Sequence, residues 1–202
     1  MTKEVDPSEK MWVFKFTKWI SILPIQRGDD RMDLIAKMDK KDIKELFSKN
    51  WMTHDAMWYG SCMQEMGPAK ANQLNKGAVR LMAGIEIKRI LKLMGKPKNY
   101  SVKHFGDLSE IIETAFHLVQ TSFMKFDFSF PKENLLRGQF NDCFAYEGVK
   151  KFGIIEDYDC GIVERIKGWL DGMGVRYKMT DFTGCLMHKT GKCVIDFVFE
   201  LA

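Results

Sequence analysis

The sequence predicts an α+β fold: a helical N-terminal half packed on a small C-terminal antiparallel sheet that ends in a β-hairpin. Three observations carry this. Apolar residues recur at helical spacing to about Gln120. From Met124 the period switches to two, with Phe126, Phe128 and Phe130 alternating with Asp127 and Ser129. Near the end, Cys185 and Cys193 flank Thr190-Gly191, and Cys193, Ile195, Phe197 and Phe199 alternate. Strands joined by hairpins, with the helices grouped elsewhere, indicate α+β and not a doubly wound sheet.

The elements follow in order, as one domain over residues 1–202. Residues 1–30 read as an aromatic helical extension. Phe16, Trp19, Ile20 and Leu23 have the i, i+3, i+4, i+7 spacing of an amphipathic helix, and Pro24 ends it. Its stripe would pack on the body or form a dimer face, in preference to touching a membrane surface. Residues 39–120 are the helical part. Ile43, Leu46 and Phe47 form one stripe. Thr53 suits the N-cap of a helix to Met66, with Gly67 as terminator. Pro68 fits the first turn of a long helix over Pro68–Met94, stopped by Gly95 and Pro97. Asp107 and Glu110 have capping-box spacing before a further helix.

Residues 121–202 form the sheet-containing, ligand-binding part. A second strand over Leu135–Phe140 follows the first. Asn141 or Asp142 can cap a helix over Cys143–Phe152, and Asp157 or Asp159 one over Cys160–Met173, closed by Gly174. Val175–Met179 is a strand, and Cys185–His188 with Cys193–Leu201 should form the hairpin. A two-residue turn there sets His188 opposite Cys193. A three-residue turn pairs His188 with Lys192 and puts Cys185, Met187 and Cys193 on one face. The sequence leaves both registers open.

Composition narrows the function. The 31 basic residues only slightly outnumber the 27 acidic ones and are scattered, which speaks against nucleic-acid binding. No stretch supplies the ~18–20 apolar residues of a membrane span. Lys15 and Lys18 interrupt the oily N-terminal segment, which also lacks the cleavage pattern of a signal peptide. A cytoplasmic location is therefore the expectation. The five cysteines are odd in number, and in such a compartment they are expected to be free.

Those cysteines carry the main chemical signal. Cys143 and Cys160 fall in the first turns of two expected helices, where backbone N–H groups and the helix dipole favour a thiolate. Paired thiolates would repel unless a cation joined them, and Zn²⁺ suits sulfur ligands. Cys143, Cys160, Cys185 and Cys193 are thus the metal candidates. Their spacing matches no standard zinc knuckle, and buried free thiols are the alternative. Cys143, Cys160, His188 and His54 are the catalytic candidates. His54-Asp55 would either reach a pocket as an acid–base pair or cap a helix amid packed aromatics. Trp58, Tyr59 and Glu147 are the ligand-binding candidates, Glu147 lying one helical turn beyond Cys143.

The segment TGCLMHKTGKCVIDFVF resembles the closing signature of the four-vinyl-reductase-domain superfamily. That superfamily includes small-molecule sensing domains, a haem nitric-oxide-binding relative and vesicle-tethering subunits. NWMTHDAMWY, CFAYEGVKKFGIIEDYDCG and GWLDGMGV, with the final cysteine pair, more closely resemble bacterial proteins related to L-2-amino-thiazoline-4-carboxylic acid hydrolase. The resemblance implies a small-molecule-binding protein that, if it is an enzyme, hydrolyses a cyclic C–N bond. A thiolate or a metal-held water would be its nucleophile. The alternative expectation is a non-catalytic ligand-binding or sensing domain, dependent on a metal or on its thiols and able to form a homodimer.

Overall fold

The computed structural model describes residues 33–201. The aromatic extension expected over residues 1–30 lies outside them. The chain divides into two compact units, Met1–Ile43 and Lys44–Ala202. In the first, a short helix α1 (Asp33–Lys37) precedes Asp39, whose Oδ1 accepts the Asp42 N–H at 2.8 Å and so caps the start of α2 (Lys40–Leu93).

Helix α2 bends at Gly67, whose φ of 75° and ψ of 168° are non-helical, and Pro68 follows as expected for the opening of a new helical segment. Thr53 is not a cap. Its hydroxyl donates back to the Lys49 carbonyl at 2.8 Å inside a continuous helix. The Leu46 and Phe47 stripe remains exposed. The core contact of α2 is made further on, by Ala83, Ile87 and Ile90.

Helix α3 (Phe105–Val119) begins one turn earlier than the Asp107–Glu110 box implies. His104 stands at its N-cap without a side-chain bond. Strands β1 (Lys125–Lys132) and β2 (Leu135–Asp142) form a hairpin through Glu133-Asn134, where Asn134 has a φ of 60°. Helices α4 (Phe144–Lys151) and α5 (Ile162–Met173) follow. They are capped by Cys143 and Gly161 rather than by the neighbouring acidic residues, and Gly174 closes α5 in the left-handed region. Strand β3 (Arg176–Met179), a five-residue helix α6 (Leu186–Thr190) and β4 (Cys193–Glu200) complete the described residues.

The sheet is antiparallel in the order β1-β2-β4-β3, so the last two strands form its terminal hairpin. The outgoing arm of that hairpin is β3. The Cys185–His188 segment is helical, and Gly191 is the left-handed cap of α6, not the tip of a tight turn. Neither expected register therefore exists, and Cys193 lies opposite Phe140 of β2.

One face of the sheet is buried. Leu136, Ile195, Phe197 and Phe199 pack with Ile111, Ile112, Trp169 and Leu170 of α3 and α5. Aromatic contacts lock this layer: Phe116 stacks on Phe128 at 4.4 Å and meets the edge of Trp169 at 5.3 Å. The other face is solvated, where Arg137 donates two 2.7 Å hydrogen bonds to Asp196 between exposed Val194 and Val198. Helix α5 crosses α2 closely. A β-carbon at Gly168 would stand 2.6 Å from that of Ala83, and one at Gly172 would stand 2.5 Å from Ile87 Cγ2. No helix among the described residues is long and apolar enough to cross a membrane.

Candidate functional site

Several cavities open among the described residues; one of about 420 Å³ holds His188 and Glu156, and two others adjoin most of the remaining candidates. The larger of these two, about 360 Å³, is bounded by α2, α3, α5 and the β1–β2 end of the sheet. This is within the roughly 300–1,000 Å³ common for small-molecule sites. Its walls are largely apolar, with Phe116, Phe126, Phe140, Phe144 and Trp169 among aliphatic side chains such as Met82 and Ile166. Gly138, at the middle of β2, faces it between Leu136 and Phe140. A side chain absent at that position leaves part of the space open.

Few polar groups line the cavity, and most are already committed. Arg165 of α5 is sandwiched between the rings of Trp51 and Trp169, at 5.7 and 5.8 Å. Its Nε and Nη2 donate to the two Glu86 oxygens at 2.9 and 2.5 Å, and Trp169 Nε1 donates to the same carboxylate at 2.8 Å. Asn75 packs against Gly161, where a β-carbon would come within 2.8 Å of its Nδ2. His54 and Asp55, both expected near a pocket, line this one. Asp55 is half-buried, and removal from water raises its pKa above the usual aspartate value, partly offset by His54.

The smaller cavity, about 10 Å³, is lined by Cys143, Cys160, Cys185 and Cys193 together. The four positions singled out in the sequence do share one wall. Burial dominates the electrostatics of three of them. It pushes the Cys143 thiol up, Cys160 to about 11 and Cys193 to about 12. The backbone N–H groups of Ala145 and Tyr146 at Cys143, and of Ile162 at Cys160, act in the other direction and are outweighed. The thiolates expected at the helix starts of Cys143 and Cys160 are thus corrected to protonated thiols. Among the described residues, no three His, Cys, Asp or Glu side chains are arranged to hold a metal ion. The donor set therefore does not fit zinc as it stands.

A hydrogen-bonded hub supports this wall. Asn72 Oδ1 accepts from the Tyr59 hydroxyl at 2.8 Å and the Asp159 N–H at 2.9 Å, and Asn72 Nδ2 donates to the Asp157 carbonyl at 2.7 Å. Asp159 pairs with Lys76 and accepts the Gly184 N–H at 2.8 Å, while the Cys160 N–H donates to the Gly184 carbonyl at 3.2 Å. Segments 157–160 and 184–185 are thereby fixed to α2.

The remaining candidates sit elsewhere. Tyr59 is buried in this hub, edge-on to Tyr158 at 5.8 Å. Trp58 is 61% exposed, and Glu147 is exposed on α4. His188 meets Glu156 at 3.1 Å on the surface. The residues that sequence reasoning missed are Glu86, Arg165 and Trp169. Their signal was faint: Arg165 and Trp169 are one turn apart in GWLDGMGV's helix, but Glu86 comes from a different helix.

No curated protein and no solved structure matches the chain. The model of the family of unknown function DUF6125 matches residues 33–168, a span that carries His54, Asp55, Glu86, Cys143, Cys160 and Arg165. This covers well over half of the 202 residues, and the chain belongs to that family.

Proposed function

We propose that this protein binds a small, largely apolar organic molecule in the cavity between its helices and its sheet. The observation that carries the reading is the combination of about 360 Å³ of space, largely apolar walls and a few polar groups. The protonated thiols favour binding over cysteine-based catalysis, because a nucleophilic thiol must first lose its proton.

Gly138 provides the test. A β-carbon there meets only the Ile195 carbonyl oxygen, at 3.9 Å, so a larger side chain can enter the cavity without backbone strain. The neutral apolar dye Nile red should bind the native protein with blue-shifted emission. Gly138→Leu should weaken that binding by at least about tenfold, or about 1.4 kcal/mol, while leaving the thermal midpoint in place. Equal dye binding by both proteins would remove the cavity reading.

A second reading, hydrolysis of a cyclic C–N bond, is supported by His54 and Asp55 on the same cavity, an imidazole beside a carboxyl with a raised pKa. Incubation with L-2-amino-thiazoline-4-carboxylate, followed by mass spectrometry, should then yield a product one water heavier. An unchanged substrate would exclude that reaction.

A further inference from the structure

We propose that the cavity selects an organic amine, whose apolar body lies among the aromatic rings and whose protonated nitrogen seats on Asp55. The inference deepens the ligand-binding reading and rests on it.

The case is a charge count around the cavity wall. Arg165, Asp55 and the imidazole of His54 are its acidic and basic side chains. The arginine is already neutralised: Glu86 occupies two of its nitrogens in a bidentate pair, and tryptophan rings flank its guanidinium. Both members of that pair are mostly shielded from water, with side chains 18% and 16% exposed. An incoming carboxylate would have to displace Glu86 from a partly buried site, leaving one anion uncompensated. A carboxylate ligand is therefore disfavoured.

Asp55 has no such partner. No hydrogen bond or ion pair to its carboxylate is formed among the described residues, and His54 is the one neighbouring group that tempers its charge. A half-buried carboxylate with no hydrogen-bonded or ion-paired partner is electrostatically incomplete, and burial disfavours its ionised form. An ammonium group brings the missing charge and up to three donors. The surrounding rings favour the same partner. Trp51, Phe116, Phe126, Phe140 and Phe144 line the space, and aromatic faces attract cations but not anions. Charge and ring lining thus select the same class, a primary alkyl amine, with or without an aromatic ring on its chain.

The test uses three molecules of nearly equal shape: phenylpropylamine, phenylpropanol and phenylpropionate, titrated calorimetrically into the full-length protein. The amine should bind at least about tenfold more tightly than the alcohol, and the carboxylate most weakly. Asp55→Asn should bring amine and alcohol to the same affinity. Gly138→Leu should weaken both. Equal binding of amine and alcohol by the native protein, or a preference that survives Asp55→Asn, would overturn the amine assignment while leaving the cavity as a binding site. Failure of all three compounds to bind would overturn the cavity reading as well.

Discussion

The closest approach of two helices gives the sharpest test of the packing argument. Gly168 lies where α5 crosses α2, and replacing it with alanine adds one methyl group. That methyl would stand 2.6 Å from the Ala83 β-carbon and press on the Arg80 carbonyl oxygen, which is backbone and cannot rotate away. Carbon atoms at rest are roughly 3.5–4.0 Å apart, so the helices must separate locally by about 1 Å. Overpacking of this kind costs about 1–3 kcal/mol, occasionally more. Alanine recovers up to ~1 kcal/mol of helix propensity, so Gly168→Ala should destabilise by about 1–2 kcal/mol. At ~2–4 °C per kcal/mol for a chain of this size, Tm should fall by about 2–8 °C. Gly77 in α2 is the matched control, with no atom within 4 Å of an added β-carbon. There the same substitution should stabilise by about 0.5–1 kcal/mol. Differential scanning calorimetry of both variants decides the point. A Gly168→Ala protein as stable as the native one would refute the reading of this crossing as a backbone-limited contact.

Two further outcomes follow from electrostatics. Burial holds the Cys143, Cys160 and Cys193 pKa values high, so these thiols should react with a disulfide reagent at pH 7.5 far more slowly than free cysteine, and fully once unfolded. Rapid labelling of any of them in the native protein, mapped by peptide mass spectrometry, would contradict the burial argument. The Asp55 pKa is raised in the folded state, so its contribution to stability is fully present below the unfolded value and is lost as pH rises through the folded one. His54 is the neighbour that opposes this shift, and Arg165 on the same cavity is held by Glu86. Asp55→Asn should therefore stabilise the protein at pH 7 and lose that advantage below the ordinary aspartate range; denaturant melts showing the reverse trend would sink the assignment.

Much of the fold was legible because it depends on local patterns. Gly67-Pro68 marks a helix boundary whatever surrounds it, and the kink in α2 lies there. The alternation of Cys193, Ile195, Phe197 and Phe199 became an alternately buried strand. The segment Leu186–Thr190 was misread because five residues are too few to separate the helical from the extended period. Gly191 just beyond it was a usable signal, since glycine is as natural at a helix C-terminus as in a hairpin turn. The site was only half visible. His54 and Asp55 are adjacent in sequence, and so were found together. Glu86, Arg165 and Trp169 meet only when α5 lies on α2. The four thiols line one small cavity, and burial raises the pKa at three of them. A helix start can be read from sequence, whereas the depth of burial that outweighs it depends on segments far apart in the chain.

Tyr158, Phe140, Ala145 and Ile162 each line both cavities, so a single layer of side chains separates the large cavity from the four cysteines. A partition one residue thick cannot yield on one side without changing the other. A molecule settling into the large cavity presses on the same rings that keep reagents and water from the thiols. Cysteine accessibility is then an intrinsic gauge of occupancy: the labelling rate of these sulfurs reports whether the neighbouring space is full, with no added dye or tag.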